Sequence, residues 1–463
     1  MQQSGCNFLK KKVGIDDLAV YIPKLYLDAE ELAKARGIDP GKITKGLGIE
    51  KMSIPDAHED AATMAAIAAL KLMKKNNLNP KDIDFIHVAT ETGPDAAKPI
   101  SCYVQGMLEQ VYGKRFLDHI GAPETKFACV GATYALIDRL AYIASGWNKR
   151  KYAIVIATDI AKYDLYSSGE STQGAAAVAL LLKENPRLLA YEPDFTGFGT
   201  VDDRDFYRPI ERTTAVVDGQ YSIGCYLRNM RIATDMYKNN LIKLNIIKSD
   251  QENLSDKLDL ISFHSPFPKM VQYAFASFLI HDWRRFPRWD NILSKIGPEP
   301  PRKGLTNIEF YVSKDYKRFR SRFSKIEEFR DEYNAKVANS LIALKLIGNS
   351  YTASVWLCMA SHFGNGRDNL DNKRLGVCSY GSGSSAIACS FIIQPEYKEV
   401  IKKIELMRDL SRRKRISMDV YEDLHEGIFK TDESVISPKK EFALDYIGKE
   451  DKNVGYRYYK YIE

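Results

Sequence analysis

Three residues far apart in the chain have the types and settings for acyl-transfer chemistry. Cys129 lies in FACVGATYAL, where Gly131, Ala132 and Thr133 permit a tight turn from a strand into an apolar helix. A sulfur near a helix N-terminus meets unpaired amide hydrogens and the positive end of the helix dipole, which favours the thiolate and predicts a lowered pKa. A buried, inert thiol is the commoner fate of a free cysteine. Glu91, in HVATETGPD, follows an apolar run and precedes Gly93-Pro94. A carboxylate at the edge of an apolar pocket is a general base of raised pKa; an exposed loop acid is the bland alternative. His264, in SFHSPFPKM, stands at a strand end before a proline-stiffened loop. An imidazole fixed there can give a proton to a substrate carbonyl, or can be a satisfied core histidine.

Around these three sit weaker candidates. Lys269 is either a phosphate partner or a surface lysine. Asn349, in IGNSYTAS, either orients a carbonyl or caps the following helix. The loop SYGSGSSA (379–386) offers backbone amides to a ligand, and the N–H of Ser382 with that of Cys129 would make a two-donor oxyanion hole. It is neither a Walker nor a dinucleotide pattern. No Cys-x-x-Cys pair occurs and the seven histidines are scattered, so no metal site is expected. The most basic stretches, KRFRSRFSK (317–325) and RDLSRRKR (408–415), read as solvated helix faces.

The elements that must position these residues come twice in the same order. KDIDFIHVATET from residue 81 reads as a strand ending at Thr90-Glu91, entered from a helix over 60–75; KLDLISFHSPFPKM from residue 257 reads the same way and ends at His264. Residues 126–129 read as a short strand running into a helix over 132–145, with 347–349 and the apolar stretch after it as their counterpart. KYAIVIATDIA (151–161) is an almost unbroken apolar run, matched by RLGVCSYGSGSSAIA (374–388). Such runs belong to parallel strands covered by helices on both faces, so the pattern predicts a pseudo-two-fold α/β body with functional residues where the strand ends of both halves meet. The boundary between halves falls near residue 200.

Taken together, these motifs resemble the 3-hydroxy-3-methylglutaryl-CoA (HMG-CoA) synthase family within the thiolase-like superfamily. The resemblance runs from about Val13 to Phe391 and rests on ITKGLGIEKM, ATETGPD, ACVGATYAL, ESTQGAAAVALL, DFYRP, VVDGQYSIGCYL, FHSPFPKM, IGNSYTAS and SYGSGS, in that order. It implies a thiolase-like five-layered αβαβα body of two pseudo-symmetric halves: 13–200 with Glu91 and Cys129, 201–396 with His264 and Asn349, and a C-terminal extension, 397–463, packed on the body or a partner subunit. It implies condensation of acetyl-CoA with acetoacetyl-CoA and water to HMG-CoA and CoA. Cys129 would be acetylated, Glu91 would take the methyl proton, and His264 would act as acid toward the attacked carbonyl. Asn349 and Ser382 would assist substrate and oxyanion binding, Thr172 and Ser222 would line the pocket, Lys269 would meet CoA, and Asp39 lies in a segment matching a family substrate contact. No metal and no bound cofactor are implied, a homodimer is, and the family default is the mevalonate (isoprenoid) pathway.

The chain departs from the family pattern at Val130 (usually Tyr), Tyr134 (a smaller residue), Pro40 (Ala) and Tyr273 (in places a second Lys near CoA). A related synthase that installs a β-branch on a β-ketoacyl acyl carrier protein in polyketide assembly would keep the same three residues and is the alternative. Glu91 argues against a Cys-His-Asn ketoacyl synthase, the lack of a second cysteine motif near the C-terminus argues against a thiolase, and the intact trio argues against a dead scaffold.

Bulk properties agree. At 463 residues the chain is long enough for two packed halves, and 45% hydrophobic with 27% charged residues describes a folded protein. No stretch approaches a membrane span, and the first residues carry no signal or transit pattern. Seven cysteines without a leader favour reduced thiols inside a cell, hence a cytoplasmic enzyme. A net charge of +7 suits a polyanionic small molecule better than nucleic acid.

Overall fold

The structure, a computed structural model, describes residues 11–115, 117–248, 252–284, 286–364 and 369–463. The stretch 1–10, where no leader pattern is expected, lies outside them. The N-terminal half runs β1 (Val13–Tyr21), α1 (Ala61–Lys75), β2 (Ile83–Ala89), α2 (Ile100–Tyr112), α3 (Gly131–Ala144), β3 (Tyr152–Ala161) and β4 (Gly174–Glu184). The C-terminal half runs β5 (Leu189–Tyr191), α4 (Gly219–Lys243), β6 (Leu260–Phe263), α5 (Pro268–Trp283), α6 (Ser354–Phe363), β7 (Arg374–Gly381) and β8 (Ser385–Ile393).

The strands follow the order β6-β7-β8-β5-β1-β4-β3-β2, with Glu124–Thr125 at the far edge. From the centre outward each half repeats one sequence of pairings. β1–β4 and β4–β3 are antiparallel and β3–β2 parallel; β5–β8 and β8–β7 are antiparallel and β7–β6 parallel. The halves join where β1 meets β5, Gly14 opposite Ala190. The central strands β3, β4 and β7 are buried almost throughout, as continuous apolar runs require.

Helices complete five layers. The Ala-rich α1 and α2 cover the outer face of the N-terminal strands, and α1 is held at its start by a capping box of Asp60 and Thr63. Helices α3 and α6 share the interior layer, while α4 and α5 cover the outer face of the C-terminal strands. The extension packs on this body: Lys414–Arg415 pairs with Leu25–Asp28, and a hairpin of Glu441–Ile447 and Arg457–Ile462 lies on α1 and α2, where Tyr459 Oη donates to Asp60 Oδ2 at 2.8 Å. No helix of the described residues is long and apolar enough to cross a membrane.

Three local expectations change. Residues 126–129 are not a strand: the strand is Glu124–Thr125, and Cys129 sits in a single 3₁₀ turn, Ala128–Val130, leading into α3. Its counterpart is the turn Tyr351–Ala353 before α6 rather than 347–349. Both turns open with a non-glycine residue of positive φ, 25° at Ala128 and 45° at Tyr351. Strained backbone kept at the same place in both halves marks the element that the fold must hold. Residues 374–388 are likewise two strands with a loop between, so only β7 answers to β3.

Close approach at the joint between halves demands glycine. A Cβ on Gly14 would lie 1.9 Å from Leu189 O, a backbone atom that cannot yield without moving β5. Gly14→Ala is therefore expected to lower stability by about 1–3 kcal/mol in thermal or denaturant unfolding. Gly106→Ala, where a Cβ on α2 meets nothing within 4 Å, should raise it by about 0.5–1 kcal/mol in the same assay.

Candidate active site

Cys129 stands at the meeting point of the two halves, on a cavity of about 300 Å³ that His264, Asn349, Ser382, Thr172 and Ser222 also line. Its sulfur is buried among Ala161, Tyr163, Ala215 and Tyr351, an apolar wall extended by Phe206 and Val217. Gly381, at the end of β7, lets the Ser382 loop reach the nucleophile turn, since a Cβ there would sit 2.7 Å from Val130 N. Val130 fills the space against Gly381. The larger Tyr134 stacks between Phe127 and Phe198 at 5.7 and 6.3 Å and bonds Ser385 Oγ, so this departure serves packing.

Glu91 follows β2, buried, with Oε1 lacking a partner. It does not line the cavity wall; its charge is felt by Cys129 and Tyr351 and is opposed by Arg208. What places it is Asp159, a fully buried acid near the end of β3. Asp159 Oδ1 accepts from Thr90 Oγ1, Glu91 N, Thr92 N and Thr92 Oγ1 at 2.7–3.1 Å, and Oδ2 accepts from Thr352 N at 3.0 Å. Thr352 in turn accepts from Ala132 N, 2.8 Å away, in the first turn of α3. One carboxylate thus ties the Glu91 loop, the helix after Cys129 and the opposite half together.

His264 is 1% exposed, just past β6; its Nδ1 lies 2.8 Å from Ser354 Oγ, which accepts from Ser265 N and so has its own hydrogen free for Nδ1, and its backbone C=O accepts from Tyr226 Oη. This leaves Nε2 for the cavity. A second buried acid, Asp205, accepts from Tyr380 Oη, Ser222 Oγ and Gly383 N at 2.8–3.0 Å and so fixes the Ser382 loop. Neither Asp159 nor Asp205 is marked by a motif of its own. The available signal was an acid inside an otherwise apolar strand run and an acid opening DFYRP.

Burial sets the proton affinities. It pushes the Cys129 thiol well above the ordinary range, reinforced by Glu91, Asp159 and Asp205. This reverses the lowered pKa expected from the helix end: desolvation beside three acids outweighs the pull of the helix N-terminus. Burial and the Asp159 charge push Glu91 well above an ordinary carboxyl, and five donors hold Asp159 as the more acidic partner. Burial holds His264 down, at about 3, so its imidazole is neutral at physiological pH.

The remaining candidates divide. Asn349 lines the cavity and also caps its turn, accepting from Tyr351 N at 2.9 Å. Thr172 and Ser222 line the cavity, but their hydroxyls donate to Gly169 O and Asp205. Lys269 lines a neighbouring cavity of about 390 Å³, which shares Leu47, Gln220, Ile223 and Phe267 with the first. Asp39 lines neither: it is exposed and caps the helix Pro40–Thr44, accepting from Gly41 N at 2.9 Å, and Pro40 takes the first helical position, where its missing N–H costs nothing. The stretch 317–325 is not a plain solvated face, for Arg320 is 4% exposed and lines the second cavity with Lys317. Among the described residues no group of three or more His, Cys, Asp or Glu side chains is placed to hold a metal ion.

With this geometry established, two family models match: hydroxymethylglutaryl-coenzyme A synthase N terminal over residues 9–186, and the C terminal over 190–443. The chain belongs to the hydroxymethylglutaryl-CoA synthase family. It is 35% identical over 459 residues to the hydroxymethylglutaryl-CoA synthase of Haloferax volcanii, covering 97% of this chain and 99% of that one, and 32% identical over 428 residues to the synthase of Gibberella zeae, covering 89% of each. Among solved structures it is similar to MvaS in complex with 3-hydroxy-3-methylglutaryl coenzyme A, with a TM-score of 0.83, 33% identity, and 98% and 100% coverage. The HMG synthase of the curacin pathway, with a TM-score of 0.77 and 23% identity over 98% of this chain and 100% of that one, shares the fold. As a member of the HMG-CoA synthase family the chain is an acyl-transferring, condensing enzyme.

Asp159→Asn would set an amide N–H₂ against a backbone N–H and leave a buried donor unpaired. Denaturant unfolding should show a loss of about 1–3 kcal/mol, and the Glu91 loop should become faster in amide exchange.

Proposed function

We propose that the chain condenses acetyl-CoA with acetoacetyl-CoA and water to give HMG-CoA and CoA, with Cys129 as nucleophile, Glu91 as base and His264 as acid. The observation that carries this reading is the convergence of Cys129, His264, Asn349 and Ser382 on one cavity, with Glu91 buried within electrostatic reach of the sulfur. The neighbour bound to 3-hydroxy-3-methylglutaryl coenzyme A supports the same substrate class. The carrier-protein alternative rests on likeness of fold alone.

In the first step the Cys129 sulfur attacks the acetyl carbonyl and its proton leaves with the CoA sulfur. A thiol of raised pKa is the more nucleophilic once ionised, and the neighbouring Glu91 can hold its proton in transit. The acetyl-enzyme then loses a methyl proton to Glu91. The developing enolate oxygen is met by the N–H groups of Cys129 and Ser382, each worth about 3 kcal/mol when well aimed. The carbanion attacks C3 of acetoacetyl-CoA, and the neutral His264 gives its Nε2 proton to the new alkoxide and regains one from the protonated Glu91 by way of the incoming water, so that both residues return to their starting forms. Water finally cleaves the thioester, returning a proton to the sulfur. The two thioesters visit one cysteine in turn, giving ping-pong kinetics. No bound cofactor takes part in this scheme. The proposal includes a cytoplasmic homodimer serving mevalonate formation.

Cys129→Ser should abolish acetyl-enzyme formation, read by mass spectrometry after incubation with acetyl-CoA. Glu91→Ala should keep acetylation and lose condensation by at least about 100-fold; loss of acetylation alone would overturn its role. In single turnovers of preloaded acetyl-enzyme, the rate should fall as pH drops through an apparent pKa well above 4.5, because Glu91 must be ionised to act. His264, neutral above about pH 3, adds no limb near neutrality.

A further inference from the structure

Arg320 is buried and has no counter-ion among the described residues. It stands on the helix Lys314–Phe323, and its guanidinium lies 4.1 Å above the Tyr273 ring. Its Nη1 is buried with no hydrogen-bond partner among the described residues. Lys269 and Lys317 face the same 390 Å³ cavity, Arg320 repels the charge of both, and no carboxylate lines it. Proteins do not hold an unpaired guanidinium in low dielectric for stability's sake. Three cations gathered without an acid form a site that a multiply charged anion would stabilise, and a planar guanidinium resting on an aromatic ring presents its remaining donors as a fork suited to phosphate.

We propose that Arg320, stacked on Tyr273 and flanked by Lys269 and Lys317, grips the phosphates at the nucleotide end of coenzyme A and makes this chain selective for CoA thioesters over carrier-protein thioesters. The inference rests on the acyl-CoA reading above. The two cavities share walls, so a thioester carbonyl at Cys129 and phosphates at Arg320 are reached by one extended ligand. A carrier-protein arm ends in a single phosphodiester of one negative charge. Coenzyme A brings a diphosphate and a 3′-phosphate, the anion that three cations match. Position 273 explains the departure noted there. Tyrosine supplies no charge but supplies the plane on which an arginine from another helix is held.

The test compares kcat/KM for acetyl-CoA, acetyl-3′-dephospho-CoA and acetyl-phosphopantetheine in the wild type, Arg320→Gln and Arg320→Lys, with calorimetric titration of adenosine 3′,5′-bisphosphate. The wild type should prefer acetyl-CoA over the dephospho thioester by about 10- to 100-fold, the range for a charge-assisted contact, with the difference in KM. Arg320→Gln should erase that preference and the bisphosphate binding without lowering Tm, and Arg320→Lys should restore only part. A preference that survives in Arg320→Gln, or an equal loss for all three thioesters with a falling Tm, would overturn the proposal in favour of a packing role. Should the wild type form no acetyl-enzyme, the synthase reading fails, and the bisphosphate titration still decides the site: binding lost in Arg320→Gln sustains it, unchanged binding ends it. If Arg320→Gln does not fold, Lys317→Gln must weaken the bisphosphate in its place, and unaltered affinity there refutes the site.

Discussion

Everything at the site hangs from one buried carboxylate. An ionised Asp at full burial is tolerable only where donors surround it, and Asp159 meets that condition by recruiting five, four from the Glu91 loop of one half and one from the Thr352 turn of the other. The N-terminal half supplies the donors to Oδ1, and docking of the other half adds the Thr352 N–H on Oδ2. The same Thr352 accepts from Ala132 N and so ties the helix after Cys129 to this carboxylate. Glu91 is placed by its neighbour's need for hydrogen bonds, since its own Oε1 has no partner among the described residues.

The same poverty of solvent that makes Asp159 demanding biases each reacting group toward its neutral form. Cys129 is driven up, Glu91 is driven up and His264 is driven down, each chiefly by burial. Little water has to be displaced from these three buried residues when a thioester arrives. Charge then develops only along the reaction coordinate, where the N–H groups of the two turns and the imidazole proton meet it. This is the arrangement that favours the transition state over the ground state.

How much of this the sequence discloses follows from the range of each interaction. The long apolar runs of β3 and β7 disclose themselves because burial on both faces is written into every residue, and the repeated order of strand, turn and helix discloses the two halves. Cys129, Glu91 and His264 stand out because turn chemistry and neighbouring small residues surround them, though their convergence is visible only through the resemblance. Asp159 stays hidden since its five partners come from segments far apart in the chain. Arg320 stays hidden for the opposite reason: KRFRSRFSK has the local look of a solvated helix, and only the packing of Tyr273 beneath it removes the guanidinium from water. The sign of the Cys129 shift could not be foreseen from a helix end alone, because it depends on the burial of the thiol and, after that, on three acids brought from residues 91, 159 and 205.

Separation of the two cavities gives this layout a further logic. Binding energy from parts of a substrate that do not react can offset the ordering and desolvation of the parts that do. The apolar pocket around Cys129 offers a thioester few polar contacts beyond the catalytic ones, so tight holding there would have to come from the same groups that stabilise the transition state. Placing the cations in an adjoining cavity relieves that conflict. Lys269, Lys317 and Arg320 can hold phosphates strongly without lowering the pKa of Glu91, whose burial keeps it a competent base, and without ionising Cys129 before its substrate is present. Charge that would spoil the chemistry at the sulfur is thus kept where it serves only to retain the ligand.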